Sequence, residues 1–75
     1  MALVQPIHSG VSGRTRFKVA GLQRDPIKKS FLERALSANA EILAISASAI
    51  TGNMLVSYNS NNTPRTIAEL IEKTL

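Results

Sequence analysis

The sequence predicts a two-layer α+β sandwich, a four-stranded antiparallel sheet covered on one face by two helices. Three observations carry that prediction. Residues 14–19 (Arg-Thr-Arg-Phe-Lys-Val) alternate cations with less polar side chains at the two-residue period of a half-buried strand. Asp25-Pro26 and Thr63-Pro64 each set a capping oxygen directly before a proline, which marks a helix start. Apolar residues then follow each cap at helical spacing. The order along the chain is strand, strand, helix, strand, strand, helix.

Leu3–His8 is a short apolar stretch interrupted by Pro6, which cannot donate to a ladder, so it is expected at a sheet edge. Ser9-Gly10-Val11-Ser12-Gly13 supplies a turn through its two glycines. In Arg14–Val19, Thr15, Phe17 and Val19 are expected inward, with Arg14, Arg16 and Lys18 on the opposite face. Gly21–Arg24 is a loop. The helix after Asp25 carries Ile27, Phe31, Leu32, Ala35 and Leu36 as one apolar stripe, and Asn39 is expected to close it in a left-handed conformation. Ala44–Ile50 reads as a strand with Ile45, Ala47 and Ala49 on one face and Ala44, Ser46 and Ser48 on the other. Thr51-Gly52-Asn53 turns the chain into Met54–Tyr58, where Met54, Val56 and Tyr58 share a face. After the polar loop 59–62, Ile67, Leu70, Ile71 and Leu75 give the second helix its stripe.

The 75 residues suit one domain, 1–75. There is no cysteine, which removes disulfides, thiolate metal sites and cysteine nucleophiles together. At 44% apolar and 19% charged, the composition is not that of a disordered chain. No apolar run approaches the roughly 20 residues that span a bilayer, and the first residues lack the basic leader and apolar core of a secretion signal. A soluble, cytoplasmic protein without direct membrane insertion is expected.

The net charge of +4 is uneven. Residues 1–34 hold seven cations and two carboxylates, giving +5, and the remainder sums to −1. Such asymmetry favours an anionic partner, whether nucleic acid, lipid headgroups or an acidic protein surface. Ordinary solubility charge is the competing explanation. Arg14, Arg16 and Lys18 are the leading candidates for a contact surface, because helices covering Phe17 and Val19 would leave them together on the bare side of the sheet, near Leu55 and the small residues Ala44, Ser46, Ser48 and Ser57. Single-stranded RNA binders use such a face with aromatic platforms for base stacking. Here Phe17 and Tyr58 fall inward, so phosphate contacts alone would give weak, salt-dependent binding.

Catalysis is not expected. His8 is the only histidine, and a serine or threonine nucleophile needs a base within hydrogen-bond reach. The five carboxylates are scattered and suggest no acid–base pair. For His8, a structural place beside the turn competes with a pH- or ligand-responsive role and with weak metal contact in an oligomer. Ser9–Gly13 precedes a strand rather than a helix and lacks a following Gly-Lys-Ser/Thr, so it is not a phosphate loop.

From Val19 onward the chain resembles the heavy-metal-associated domain, the ferredoxin-like module of copper chaperones and of the N-terminal tails of metal-transporting P-type ATPases. Gly21-Leu22 stands at that family's Gly-Met, Ala40-Glu41-Ile42 at its Pro-Gly-Val, and Thr51-Gly52-Asn53 through Val56-Ser57-Tyr58-Asn59 at its hairpin and Tyr-Asp. The metal loop is replaced by Gln23-Arg24-Asp25-Pro26-Ile27. A soft ion such as Cu(I) needs thiolates, so neither a metal nor any other cofactor is carried over. The chain is more similar to the cysteine-free branch of that superfamily, on His8, Gly13-Arg14-Thr15-Arg16-Phe17-Lys18-Val19 and Gly21-Leu22, with Ser12 where a proline is usual. Members occur at the N-termini of some bacterial cation-transporting P-type ATPases and as small stand-alone proteins.

The resemblance implies a ferredoxin-like sandwich whose last strand is missing after the second helix. Leu3–His8 would lie in that slot, antiparallel to Arg14–Val19. The spatial order is then N-terminal strand, 14–19, 54–58, 44–50. The function expected is a non-catalytic interaction or regulatory module that docks a protein partner or transporter body through Arg14, Arg16, Lys18 and Leu55. A second copy of the chain is another occupant of that surface. In a transporter the module would sit at the cytoplasmic face of the membrane. The alternative is a small basic nucleic-acid-binding protein using the same face.

Overall fold

A computed structural model describes residues 3–75, and within them every side chain except those of residues 8–11, so the roles considered for His8 lie outside the described side chains. The elements are β1 (Val4–Val11), β2 (Arg14–Val19), α1 (Pro26–Ser37), β3 (Ile42–Ala47), β4 (Asn53–Tyr58) and α2 (Pro64–Thr74). They form one four-stranded antiparallel sheet in the order β1-β2-β4-β3, with both helices packed against one face. The layers and the strand order are those expected from the sequence. They are consistent with a ferredoxin-like sandwich, though the connectivity meets that fold only loosely, because the edge position beside β2 is held by the N-terminal strand.

β2 explains why the sheet has a dry side and a wet side. Thr15, Phe17 and Val19 are buried while Arg14, Arg16 and Lys18 are exposed, as a two-residue period requires. β4 repeats the pattern, burying Met54, Val56 and Tyr58. Over these residues α1 lays Leu32 and Leu36, and α2 lays Ile67, Ala68 and Ile71. Both helix starts form as predicted. The Asp25 carboxylate accepts the Lys28 N–H at 2.9 Å, and the Thr63 hydroxyl accepts the Thr66 N–H at 3.2 Å, each before a proline.

Several expectations need correction. β1 extends to Val11 and only Ser12-Gly13 turn the chain, because register shifts after Pro6 and after His8 absorb extra residues while pairing continues. Gly13 sits at φ +79° with its carbonyl accepting the Tyr58 N–H, and a Cβ there would lie 3.1 Å from the Tyr58 carbonyl. β3 runs over Ile42–Ala47 rather than 44–50, and the connection to β4 is the longer loop 48–52. A bulge at Leu43 lets Ile42 and Ile45 both face the core while Leu43 points out. Asn39 is not left-handed: its Oδ1 instead accepts the Glu41 N–H at 2.8 Å, a side-chain turn that ends α1.

The largest correction concerns α1. Ile27 and Phe31 are exposed, whereas Leu32 and Leu36 are buried. At 100° per residue, Ile27 lies about 140° around the helix from Leu32, and the α1 contact with β3 covers only the sector about Leu32 and Leu36. On α2, Leu75 is likewise half exposed rather than part of the core.

One polar pair lies inside the dry layer. Thr15 Oγ1 and Tyr58 OH are 2.7 Å apart, both residues are almost wholly buried, and each hydroxyl satisfies the other. Removing one leaves the other unpaired. Tyr58→Phe and Thr15→Val are each expected to cost about 1–2 kcal/mol in urea unfolding, and the double substitution distinctly less than the sum of the two.

Candidate functional site

The open face of the sheet is the one strand surface without a helix over it. Its centre is the β2–β4 ladder, where Arg14 pairs with Ser57, Arg16 with Leu55 and Lys18 with Asn53. Beyond β4, Ser46 stands opposite Leu55 and Ala44 opposite Ser57 on β3. The four residues singled out from sequence thus share one surface. The three cations are exposed, and Leu55 is half-buried at the base of the surface between Arg16 and Ser46.

Leu55 forms a wall common to two shallow depressions. One, of about 270 Å³, is bounded by Arg14, Ala44, Ser46 and Ser57. The other, of about 370 Å³, is bounded by Arg16, Ser46, Thr51 and Asn53. Small side chains on β3 leave the hollows, and the cations of β2 stand along one rim. Ser48, expected on this face as part of a strand, belongs to the 48–52 loop and borders only the second hollow.

Electrostatics sharpen the picture. No strand contains an aspartate or glutamate. The carboxylates sit in or beside the helices, and two have identifiable work. Asp25 caps α1. Glu33 accepts the Ala47 N–H at 2.9 Å and pairs with Lys29 at 2.9 Å, the only ion pair among the described residues. Arg14, Arg16 and Lys18 therefore carry their charge without an intramolecular counter-ion among the described residues. Such a field attracts anions and is weakened by salt.

Among the described residues no three His, Cys, Asp or Glu side chains come close enough to hold a metal ion. Among the described side chains the face also lacks aromatics, since Phe17 and Tyr58 are buried on the other side. What it offers is a flat basic surface with one apolar contact point and room for close approach. No helix is long and apolar enough to cross a membrane, among the described residues. Comparison with known proteins finds no matching family model, no matching curated protein and no matching solved structure.

Sequence reasoning missed the Glu33 tie, because its acceptor role depends on an edge-strand amide fourteen residues away. The Ala47 N–H and Lys29 hold the Glu33 carboxyl below the ordinary glutamate range, against a smaller opposing effect of burial. A lowered folded pKa stabilises the protein above the unfolded value, and that contribution disappears as pH falls through the folded value. Glu33→Gln should cost about 1 kcal/mol in neutral-pH denaturant unfolding. The gap from wild type should close as pH drops below about 4, where glutamate itself protonates.

Proposed function

We propose that this chain is a non-catalytic interaction module that docks an acidic protein surface on its open sheet face through Arg14, Arg16, Lys18 and Leu55. The observation that supports this reading best is the charge arrangement: three exposed cations on a sheet whose strands contain no carboxylate. Leu55 and the small residues of β3 add a place where an apolar side chain could seat between them. The resemblance to the cysteine-free branch of the heavy-metal-associated superfamily supplies a context. It would be a module of a cation-transporting P-type ATPase, docked on the transporter body, or a small stand-alone cytoplasmic adaptor. The cysteine-less loop makes it a relative that does not itself carry metal.

Nucleic-acid binding by the same cations is the weaker reading, because the described side chains of the surface include no aromatic platform on which bases could stack. The two readings separate on Leu55. A synthetic peptide alternating glutamate and leucine should bind more tightly than polyglutamate of equal charge, perturbing amide resonances of β2 and β4. Leu55→Ser should erase that preference, and Arg16→Glu should weaken both peptides by about fivefold or more. Tighter binding of generic RNA or duplex DNA than of either peptide at the same salt would move the assignment to nucleic acid.

A further inference from the structure

Seven large apolar side chains are exposed among the described residues. Ile7 and Leu43 are the extra residues at register shifts in β1 and β3, and the backbone irregularity accounts for their exposure. The other five gather at one end of the sandwich. Leu3 lies there because its carbonyl accepts the Ala20 N–H just past β2. Ile50 lies there because its carbonyl accepts from Gln23 Nε2, and the neighbouring Ala49 carbonyl accepts the Arg24 N–H. Ile27 and Phe31 face a hollow of about 300 Å³ shared with Leu75 at the close of α2. Ile27 is 82% exposed on the side of α1 away from Leu32, and Ile50 is 84% exposed in the 48–52 loop.

Cations accompany this apolar tip. Arg24 is exposed in the β2–α1 loop, and the Lys28 side chain folds back over Gly21, where an added Cβ would sit 2.8 Å from its Nζ. Lys73 lies in the last turn of α2. The carboxylates at this end are Asp25, engaged as a helix cap, and Glu72. Three cations, Arg24, Lys28 and Lys73, against these two carboxylates leave an excess of +1. Arg24 also holds φ +65°, the one non-glycine residue with positive φ among the described residues. Glycine would meet that conformation without strain, so Arg24 holds a backbone geometry that disfavours its own side chain.

We infer that this end of the molecule docks peripherally on an anionic lipid surface, with Ile27, Phe31 and Ile50 entering the headgroup boundary and Arg24 and Lys28 meeting lipid phosphates and carboxylates. Protruding apolar side chains ringed by cations match such an interface. A second copy of the chain fits less well, because a two-fold contact would bring the cationic rims face to face. The surface is separate from the open sheet face, and its docking stands or falls independently of the protein partner proposed above.

The test is flotation of the full chain with phosphatidylcholine vesicles, alone or with about one lipid in three replaced by phosphatidylserine. Binding is expected only to the anionic vesicles and should fall as salt rises. Arg24→Gly should lower the partition coefficient about fivefold while the thermal midpoint holds or rises, so lost binding cannot be put down to lost folding. Ile27→Ser and Phe31→Ser, both at exposed positions, should each lower it about tenfold. Leu55→Ser on the open face should leave it unchanged. Absent binding to anionic vesicles, equal binding to neutral ones, or binding indifferent to Arg24 and Ile27 would overturn the inference. So would a concentration-dependent dimer in sedimentation that the Ile27 and Phe31 variants abolish.

Discussion

The whole arrangement depends on the strict alternation of β2. Because its period is two, placing Thr15, Phe17 and Val19 against the helices obliges Arg14, Arg16 and Lys18 to face away. A slip of one residue would bury three cations without counter-ions, which costs far more than any gain in packing. The register is therefore fixed by charge as firmly as by hydrophobic contact. β4 reads the same alternation across the ladder, and the Thr15–Tyr58 hydroxyl pair adds a polar lock within the dry layer.

Two helices cannot enclose a four-stranded sheet on both sides, so this size of domain leaves one face open. The open face then becomes whatever the strand sequences make it. Here they exclude carboxylates entirely and place the negative groups among the helices and their flanking loops, where Asp25 and Glu33 already serve local structure. The basic character of the sheet is a division between layers rather than an average over the surface.

Much of this was legible because it depends on short-range rules. The two cap-and-proline starts and the alternation in 14–19 and 54–58 appear in the structure as the sequence predicts, and the antiparallel filling of the sheet edge by the N-terminal strand appears as the family resemblance implied. The four candidate contact residues do fall on one face. Where sequence misled, the cause was a geometry that periodicity does not encode. The Leu43 bulge shifts the phase of β3, so Ile42 joins the core and the strand ends at Ala47. On α1 the apolar residues are spread too widely around the helix for one neighbour to cover them, and Ile27 and Phe31 fall outside the sector of Leu32 and Leu36. Ile27 and Phe31 look like core in sequence and are surface in space. The Glu33–Ala47 hydrogen bond and the convergence of apolar tips at one end arise from tertiary placement alone.

The irregular edge of β1 carries a further consequence. Pro6 removes one amide donor, and two register shifts break the spacing that an incoming strand would need. At the far edge the Glu33 carboxylate already occupies the Ala47 amide. Growth of the sheet by borrowing a strand from another molecule is thereby discouraged on both flanks.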